Sequence, residues 1–264
     1  VIEEASEVPG FRGAFFHGST NWLPDDAILA GASDVDVMVV LANPSPALTR
    51  GKLLYRDVML DVSSLPSDQL RSPEMILGQY HLAGSFRAPG IILDPSGQLT
   101  DLQAAVSKGY VKRHWVYRRC EHARDKVLRN LESLNESVPF YDQVTAWLFA
   151  AGVLTHVLLV AGLRNPTVRR RYVATRELLA EYGHSDLYET LLGLLGCARM
   201  SRAHVEHHLA ALAEAFDAAA AVVTTPFFFA PDISDIARPI AIDGSRELIE
   251  HGSHREAVFW MVAT

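Results

Sequence analysis

Two aspartates separated by one residue, Asp34 and Asp36, open the apolar run Ser33-Asp34-Val35-Asp36-Val37-Met38-Val39-Val40. The run reads as a β-strand, and alternation along a strand turns both carboxylates to one face and Val35 and Val37 to the other. Two hard anionic oxygen ligands that close suit Mg2+, which keeps several waters and takes its remaining ligands from phosphate oxygens. A third acid, Asp61, lies in Val58-Met59-Leu60-Asp61-Val62, and a neighbouring strand could bring it beside the pair. Asp57 shares that run and the same face by period-two alternation, so register decides between them. Three converging carboxylates make a site for two metal ions. Such a site can lower the pKa of an attacking hydroxyl and neutralise a leaving pyrophosphate during in-line displacement at phosphorus. Upstream, Phe15-Phe16-His17-Gly18-Ser19 ends a strand in a glycine that lets the backbone approach phosphate, followed by a hydroxyl and exposed N–H groups.

Each motif also has a plainer reading. Asp-x-Asp alone is usually a solvent-facing edge strand. Here the apolar flanks and the upstream His-Gly-Ser favour the chemical reading. His17 is expected to pack or hydrogen-bond locally. His204, His207 and His208 have helical spacing but lack the glutamate of a zinc-protease helix, and they read as a surface stripe. Cys120 and Cys197 lie far apart with no paired-ligand spacing, which argues against structural zinc and a disulfide framework.

The elements that must position these residues divide the chain. Phe11–Phe16, Val35–Leu41 and Leu53–Val62 read as strands, Ser67–Leu82 as a helix with a start signal at Ser72-Pro73-Glu74, and Gly90–Asp94 as a further strand. From Leu99 the period becomes helical, at Asp101–Leu134, Tyr141–Leu163, Thr167–Tyr182, Leu187–Leu195 and Ala203–Val223, resuming at His251–Thr264. Phe227-Phe228-Phe229 suggests an apolar anchor. The expected fold class is α+β, with a small mixed-sheet domain over residues 1–98 and an all-α helical domain over 99–264.

The sequence strand, hydrophobic-Gly-Ser, loop, Asp-hydrophobic-Asp, then hydrophobic-acid-hydrophobic resembles the motif of the polymerase-beta-like nucleotidyltransferases over Phe11–Val62. With a helical domain following, the chain also looks like the aminoglycoside (streptomycin/spectinomycin-type) nucleotidyltransferases. The resemblance implies that Asp34 and Asp36 bind metal, that Asp61 is third ligand or general base, and that Gly18 and Ser19 contact phosphate. It implies two Mg2+ ions, with ATP as default donor. The loop Thr20–Ala32 contains no Lys or Arg and carries Asp25 and Asp26, so a cation for the triphosphate is expected from the helical half. Arg169 or Arg170, in Arg164–Tyr172, lies where those enzymes place a triphosphate-binding lysine. Asp142 opens the preceding helix where they place an acid for an amine-rich acceptor. Triphosphate and acceptor are expected to meet between the two domains.

Bulk properties narrow the partners. The chain has 264 residues and a formal charge of −7, which repels polyanions and suits a neutral or cationic small acceptor rather than nucleic acid. Hydrophobic residues make up 49%, enough to bury two modest cores. The opening Val1-Ile2-Glu3-Glu4 carries no methionine or signal, as expected of a trimmed cytoplasmic protein. Val144–Leu163 is uncharged and as long as a membrane span requires, roughly 20 residues. His156, Thr155, Gly152 and Gly162 inside it favour a buried bundle helix. Two alternatives stay open: transfer to a protein hydroxyl, and a non-catalytic binding or antitoxin-like module with this fold.

Overall fold

The computed structural model describes residues 2–24, 26–29, 33–43, 51–135, 137–224 and 229–264. The fold is α+β, and the chain divides into two compact units. One comprises Val1–Leu29, Asp34–His122 and Leu163–Arg169, and the other Ala30–Ser33, Ala123–Gly162 and Arg170–Thr264.

The first unit is built on a five-stranded sheet of order β3-β4-β2-β1-β5. Its strands are β1 (Phe11–His17), β2 (Val35–Leu41), β3 (Gly51–Tyr55), β4 (Val58–Pro66) and β5 (Ile91–Leu93). β2 and β4 run parallel and the other neighbours antiparallel. The valines of β2 suit a pleated, buried position, and alternation divides them between two cores. On one face Val37, Val39, Leu41 and Val62 pack against Ile2, Ala5 and Val8, in or just after α1 (Ile2–Ser6). On the other, Phe15, Val40 and Leu65 pack against Ile76 and Leu77 of α2 (Pro73–Leu77) and Leu99, Leu102 and Val106 of α3 (Gln98–Gly109).

The expected strand Leu53–Val62 is instead a hairpin, because the chain reverses at Arg56 and Asp57, with φ of 48° and 62°. Positive φ at both central residues marks a tight turn whose twist matches the strands, usually written with Asn or Gly. Arg-Asp hides that signal. The expected helix Ser67–Leu82 is broken into the 3-10 turn Ser67–Leu70 and α2, and a further 3-10 turn, Ala83–Phe86, follows it. Ser72 caps α2, its hydroxyl accepting the Met75 N–H at 3.3 Å. Pro73 follows at the first helical position, where its missing N–H costs nothing, so no helix runs through it from Ser67. The long helix expected over Asp101–Leu134 is two, α3 and α4 (Arg113–Glu132). Arg119, 1% exposed, fixes the break: its guanidinium donates to the Tyr110 carbonyl at 2.8 Å and the Leu77 carbonyl at 3.3 Å, and lies 4.3 Å from the Tyr110 ring centroid.

The second unit is helical, with α5 (Phe140–Ala161), α6 (Arg171–Glu181), α7 (Ser185–Leu194), α8 (Arg202–Ala220), α9 (Gly244–Glu250) and α10 (His254–Ala263). By length and composition α5 could cross a membrane, and half of its apolar window is buried inside the protein. Gly152 within it and Gly162 just after it serve packing. A Cβ on Gly152 would lie 2.4 Å from the Phe259 ring, and one on Gly162 2.6 Å from Leu178. His156 shares a 3.0 Å hydrogen bond with Arg171, whose guanidinium also faces the Phe259 and Trp260 rings. α6 starts at Arg171 rather than the expected Thr167, because Asn165 Oδ1 accepts from the Thr167 N–H and hydroxyl, both at 3.0 Å, and holds a turn. Phe227 and Phe228 of the expected anchor lie outside the described residues.

Candidate metal and phosphate site

Register places the chemistry. In the antiparallel pair β3·β4, Lys52 stands opposite Asp61; in the parallel pair β2·β4, Asp61 stands opposite Asp36; and in β1·β2, Asp36 stands opposite His17. Residues directly opposite share a face, so one rung carries the row Lys52, Asp61, Asp36, His17 across four strands. Asp34 stands two residues before Asp36 and shares its face. One ligand oxygen from each of Asp34, Asp36 and Asp61 can be chosen so that all lie within 4.8 Å of one another. Asp57, the alternative third acid, is carried away in the β3–β4 turn.

Such crowding needs positive charge. Lys52 supplies it, with its ammonium 2.6 Å from Asp61 Oδ2 and 3.6 Å from Asp34 Oδ2, and its side chain only 11% exposed. This cation comes from the sheet itself and pairs with the carboxylates, a role separate from that of the triphosphate cation expected from the helical half. A signal existed: a two-residue turn at Arg56-Asp57 pairs 55 with 58 and hence 52 with 61, so recognising the turn would have found the lysine. Even so, Asp36 is pushed up to about 7, by burial first and then by the Asp34 and Asp61 carboxylates, against the opposing pull of Lys52. A carboxylate so placed is stabilised by a further cation.

Gly18 explains how the cluster is enclosed. It begins the 3-10 turn Gly18–Trp22 with φ of 67°, and an added Cβ would lie 1.9 Å from Asp36 Oδ2. Backbone and carboxylate thus approach at a distance only glycine allows. Ser19 follows in the same turn. The turn is anchored by Asn21, whose side-chain amide donates to the Phe16 carbonyl at 2.5 Å, and by Arg87, which donates to the Asn21 carbonyl at 3.2 Å and lies 3.9 Å from the Trp22 ring centroid. Arg87 is a second cation that sequence reading missed, since only folding brings it 66 residues back to this turn.

His17 makes the local hydrogen bond expected of it, Nδ1 lying 2.7 Å from the Ser85 hydroxyl. Burial pushes its imidazole down to about 4, so it is neutral at pH 7. Unfolded histidine takes up a proton near 6.5, so native stability is lost as pH falls from about 6.5 to 4. Replacing His17 with Asn is expected to flatten the acid limb of a stability–pH curve by roughly 2 kcal/mol, after discounting for solvent screening. Urea titrations at pH 7 and pH 4.5 check this; parallel curves for the two proteins would refute it.

The remaining sequence candidates are distributed differently. Asp142 is an exposed acid in the first turn of α5, where a negative charge complements the helix dipole. Arg170 is exposed and immediately precedes α6, both in the helical unit. Arg169 is partly buried and belongs to the sheet unit. His204 and His208 stack at 4.9 Å on the exposed side of α8.

No family model matches this chain, and no curated protein matches it in sequence. Among solved structures, the crystal structure of a nucleotidyltransferase-like protein from Exiguobacterium sibiricum resembles it over 95% of this chain and 89% of the other, at 16% identity and a TM-score of 0.35. At that distance the likeness carries no weight in assigning chemistry.

Proposed function

We propose that this chain is a metal-dependent nucleotidyltransferase that moves a nucleoside monophosphate, AMP from ATP by default, onto a hydroxyl of a small acceptor and releases pyrophosphate. The observation that carries the reading is the meeting of Asp34, Asp36 and Asp61 at one end of the sheet, closed on one side by Gly18. This is the three-acid, glycine-serine arrangement that the sequence motif implies, and the donor set suits Mg2+: hard carboxylate oxygens that converge and remain under-neutralised. Asp34 and Asp36 would hold the ion, with Asp61 as third ligand or base. Bound there, Mg2+ would supply charge neutralisation for the triphosphate and the leaving pyrophosphate.

The chain's own groups complete the reaction. Gly18 and Ser19 present backbone N–H groups and a hydroxyl to phosphate oxygens, in a turn pinned by Asn21 and Arg87. Asp61 accepts the proton of the attacking hydroxyl as its oxygen bonds the α-phosphorus and the bond to pyrophosphate breaks. Arg169 or Arg170 adds charge to the triphosphate, and Asp142 offers a carboxylate to a cationic acceptor. A net charge of −7 supports a small neutral or cationic acceptor, aminoglycosides among the candidates, over nucleic acid.

Calorimetric titration of ATP with and without Mg2+, repeated on Asp34→Asn, tests the reading. Binding is expected to require both the ion and Asp34. Equal binding without metal, or by Asp34→Asn, would overturn the assignment. Pyrophosphate release with aminoglycosides, compared with protein fractions, then sorts small-molecule from protein acceptors.

A further inference from the structure

Lys52 does more than offset charge, because its position is specific. It is held in line with Asp61 by the β3·β4 register, and its ammonium lies between Asp61 Oδ2, at 2.6 Å, and Asp34 Oδ2, at 3.6 Å. Its side chain is less exposed, at 11%, than those of Asp61 and Asp34, at 25% and 26%, so the lysine is held against the cluster by the fold rather than reaching it from solvent. The 2.6 Å contact is a full charge-assisted hydrogen bond, and it occupies a lone pair of Asp61 Oδ2 on the side that faces Asp34 Oδ2, where a divalent ion bridging Asp61 and Asp34 would have to compete with the ammonium. An ion there would stand within a few ångströms of the ammonium, with like charges facing each other out of bulk water. Asp36 makes no such hydrogen bond with Lys52 among the described contacts, and it is Asp36 that Gly18 closes upon.

We propose that Lys52 is a resident counter-cation that fills one of the cation positions of the triad, so that this chain takes a single divalent ion, through Asp34 and Asp36, instead of the two that three carboxylates could hold. The inference rests on the metal-site reading above and refines it. With its three carboxylates ionised and Lys52 charged, the cluster carries a net charge of −2, which one divalent ion balances. The ammonium is fixed by the fold and cannot be removed by chelation. Lys52 is a positioning residue: it holds Asp61 through a hydrogen bond and excludes the second ion.

Electron paramagnetic resonance titration with Mn2+, without nucleotide, reads the stoichiometry directly. The wild-type protein is expected to bind one Mn2+ per chain, and Lys52→Met two. Lys52→Arg, which keeps the cation, is expected to stay at one. If Lys52→Met does not fold in chelator, Mn2+ is expected to restore its circular dichroism, since the ion would replace the missing charge; failure of Mn2+ to do so would count against the proposal. Two ions in the wild type, or one in a folded Lys52→Met protein, would overturn the role of Lys52 and leave the metal site intact. No Mn2+ bound by either folded protein would overturn the metal site itself, and this inference with it.

Discussion

Replacing Asp36 with Asn is expected to weaken divalent-ion binding at least a hundredfold and, in the metal-free protein, to raise stability at neutral pH. The two effects share one origin. Asp36 belongs to three carboxylates with oxygens within 4.8 Å, and its pKa is about 7 in the folded chain against an ordinary aspartate value near 4. Between those values the folded chain holds a proton that the unfolded chain has released, so stability falls as pH rises through that window. The interval corresponds to about 4 kcal/mol, and solvent screening at a partly exposed carboxylate reduces it to roughly 2 kcal/mol. Asn carries no charge to repel its neighbours. Metal-free Asp36→Asn is therefore expected to melt about 5 °C higher than wild type at pH 8 and at nearly the same temperature at pH 4. With the ion present the order reverses, because ligand binding stabilises only a chain that retains the site. Loss of nucleotidyl transfer should accompany the loss of metal, by a factor of about a thousand, since a bound ion contributes several kcal/mol to such a transition state. Differential scanning calorimetry at both pH values, with and without Mg2+, decides this. A variant less stable than wild type at pH 8 without metal would show that Asp36 is a stabilising structural acid and not a crowded ligand.

Gly18→Ala is expected to leave the fold standing and to disable the site. Two costs combine at this position, and a second glycine separates them. A φ of 67° costs an alanine about 1 kcal/mol of backbone strain, and Gly97, with φ of 77° ahead of α3, would incur the same. A Cβ at Gly97 meets nothing within 4 Å, whereas at Gly18 it would lie 1.9 Å from Asp36 Oδ2. The Asp36 carboxylate must rotate away, because it is the movable partner and the turn behind it is anchored by Asn21 and Arg87. Both variants should thus lose about 1 kcal/mol of stability, while only Gly18→Ala loses tenfold or more in Mn2+ affinity. Equal metal affinities for the two variants would mean that Gly18 serves the turn alone and that the proposed closure over Asp36 is wrong.

Much of this protein is written locally in its sequence. The strand character of β2 follows from its valines, and period-two alternation put Asp34 and Asp36 on one face before any partner strand was known. The helical second half is announced by its 3.6-residue periodicity and its turn residues. Ser72-Pro73 marked the start of α2, and Gly18 marked the end of β1. These signals lie within a few residues of the features they specify, so a linear reading can find them.

What only the tertiary structure decided involves residues brought together from a distance, or a turn with atypical residues. Nothing local distinguishes Asp61 from Asp57, two acids on one apolar run. The distinction came from the reversal at Arg56-Asp57, which sends Asp57 into the turn and sets Asp61 against Asp36. The same reversal put Lys52 on the rung, so a single unrecognised turn hid both the identity of the third acid and the cation beside it. Arg119 divided one expected helix into two by reaching carbonyls 9 and 42 residues away, and Arg87 reached the Gly18–Trp22 turn across 66. Gly152 and Gly162, in and just after α5, acquired their meaning from Phe259 and Leu178, which sit in the holes those glycines leave. Sequence alone determined which residue types could do this chemistry and on which kind of element they lie. Strand register and side-chain packing determined which of them meet, because both are set by contacts between segments that composition and periodicity cannot see.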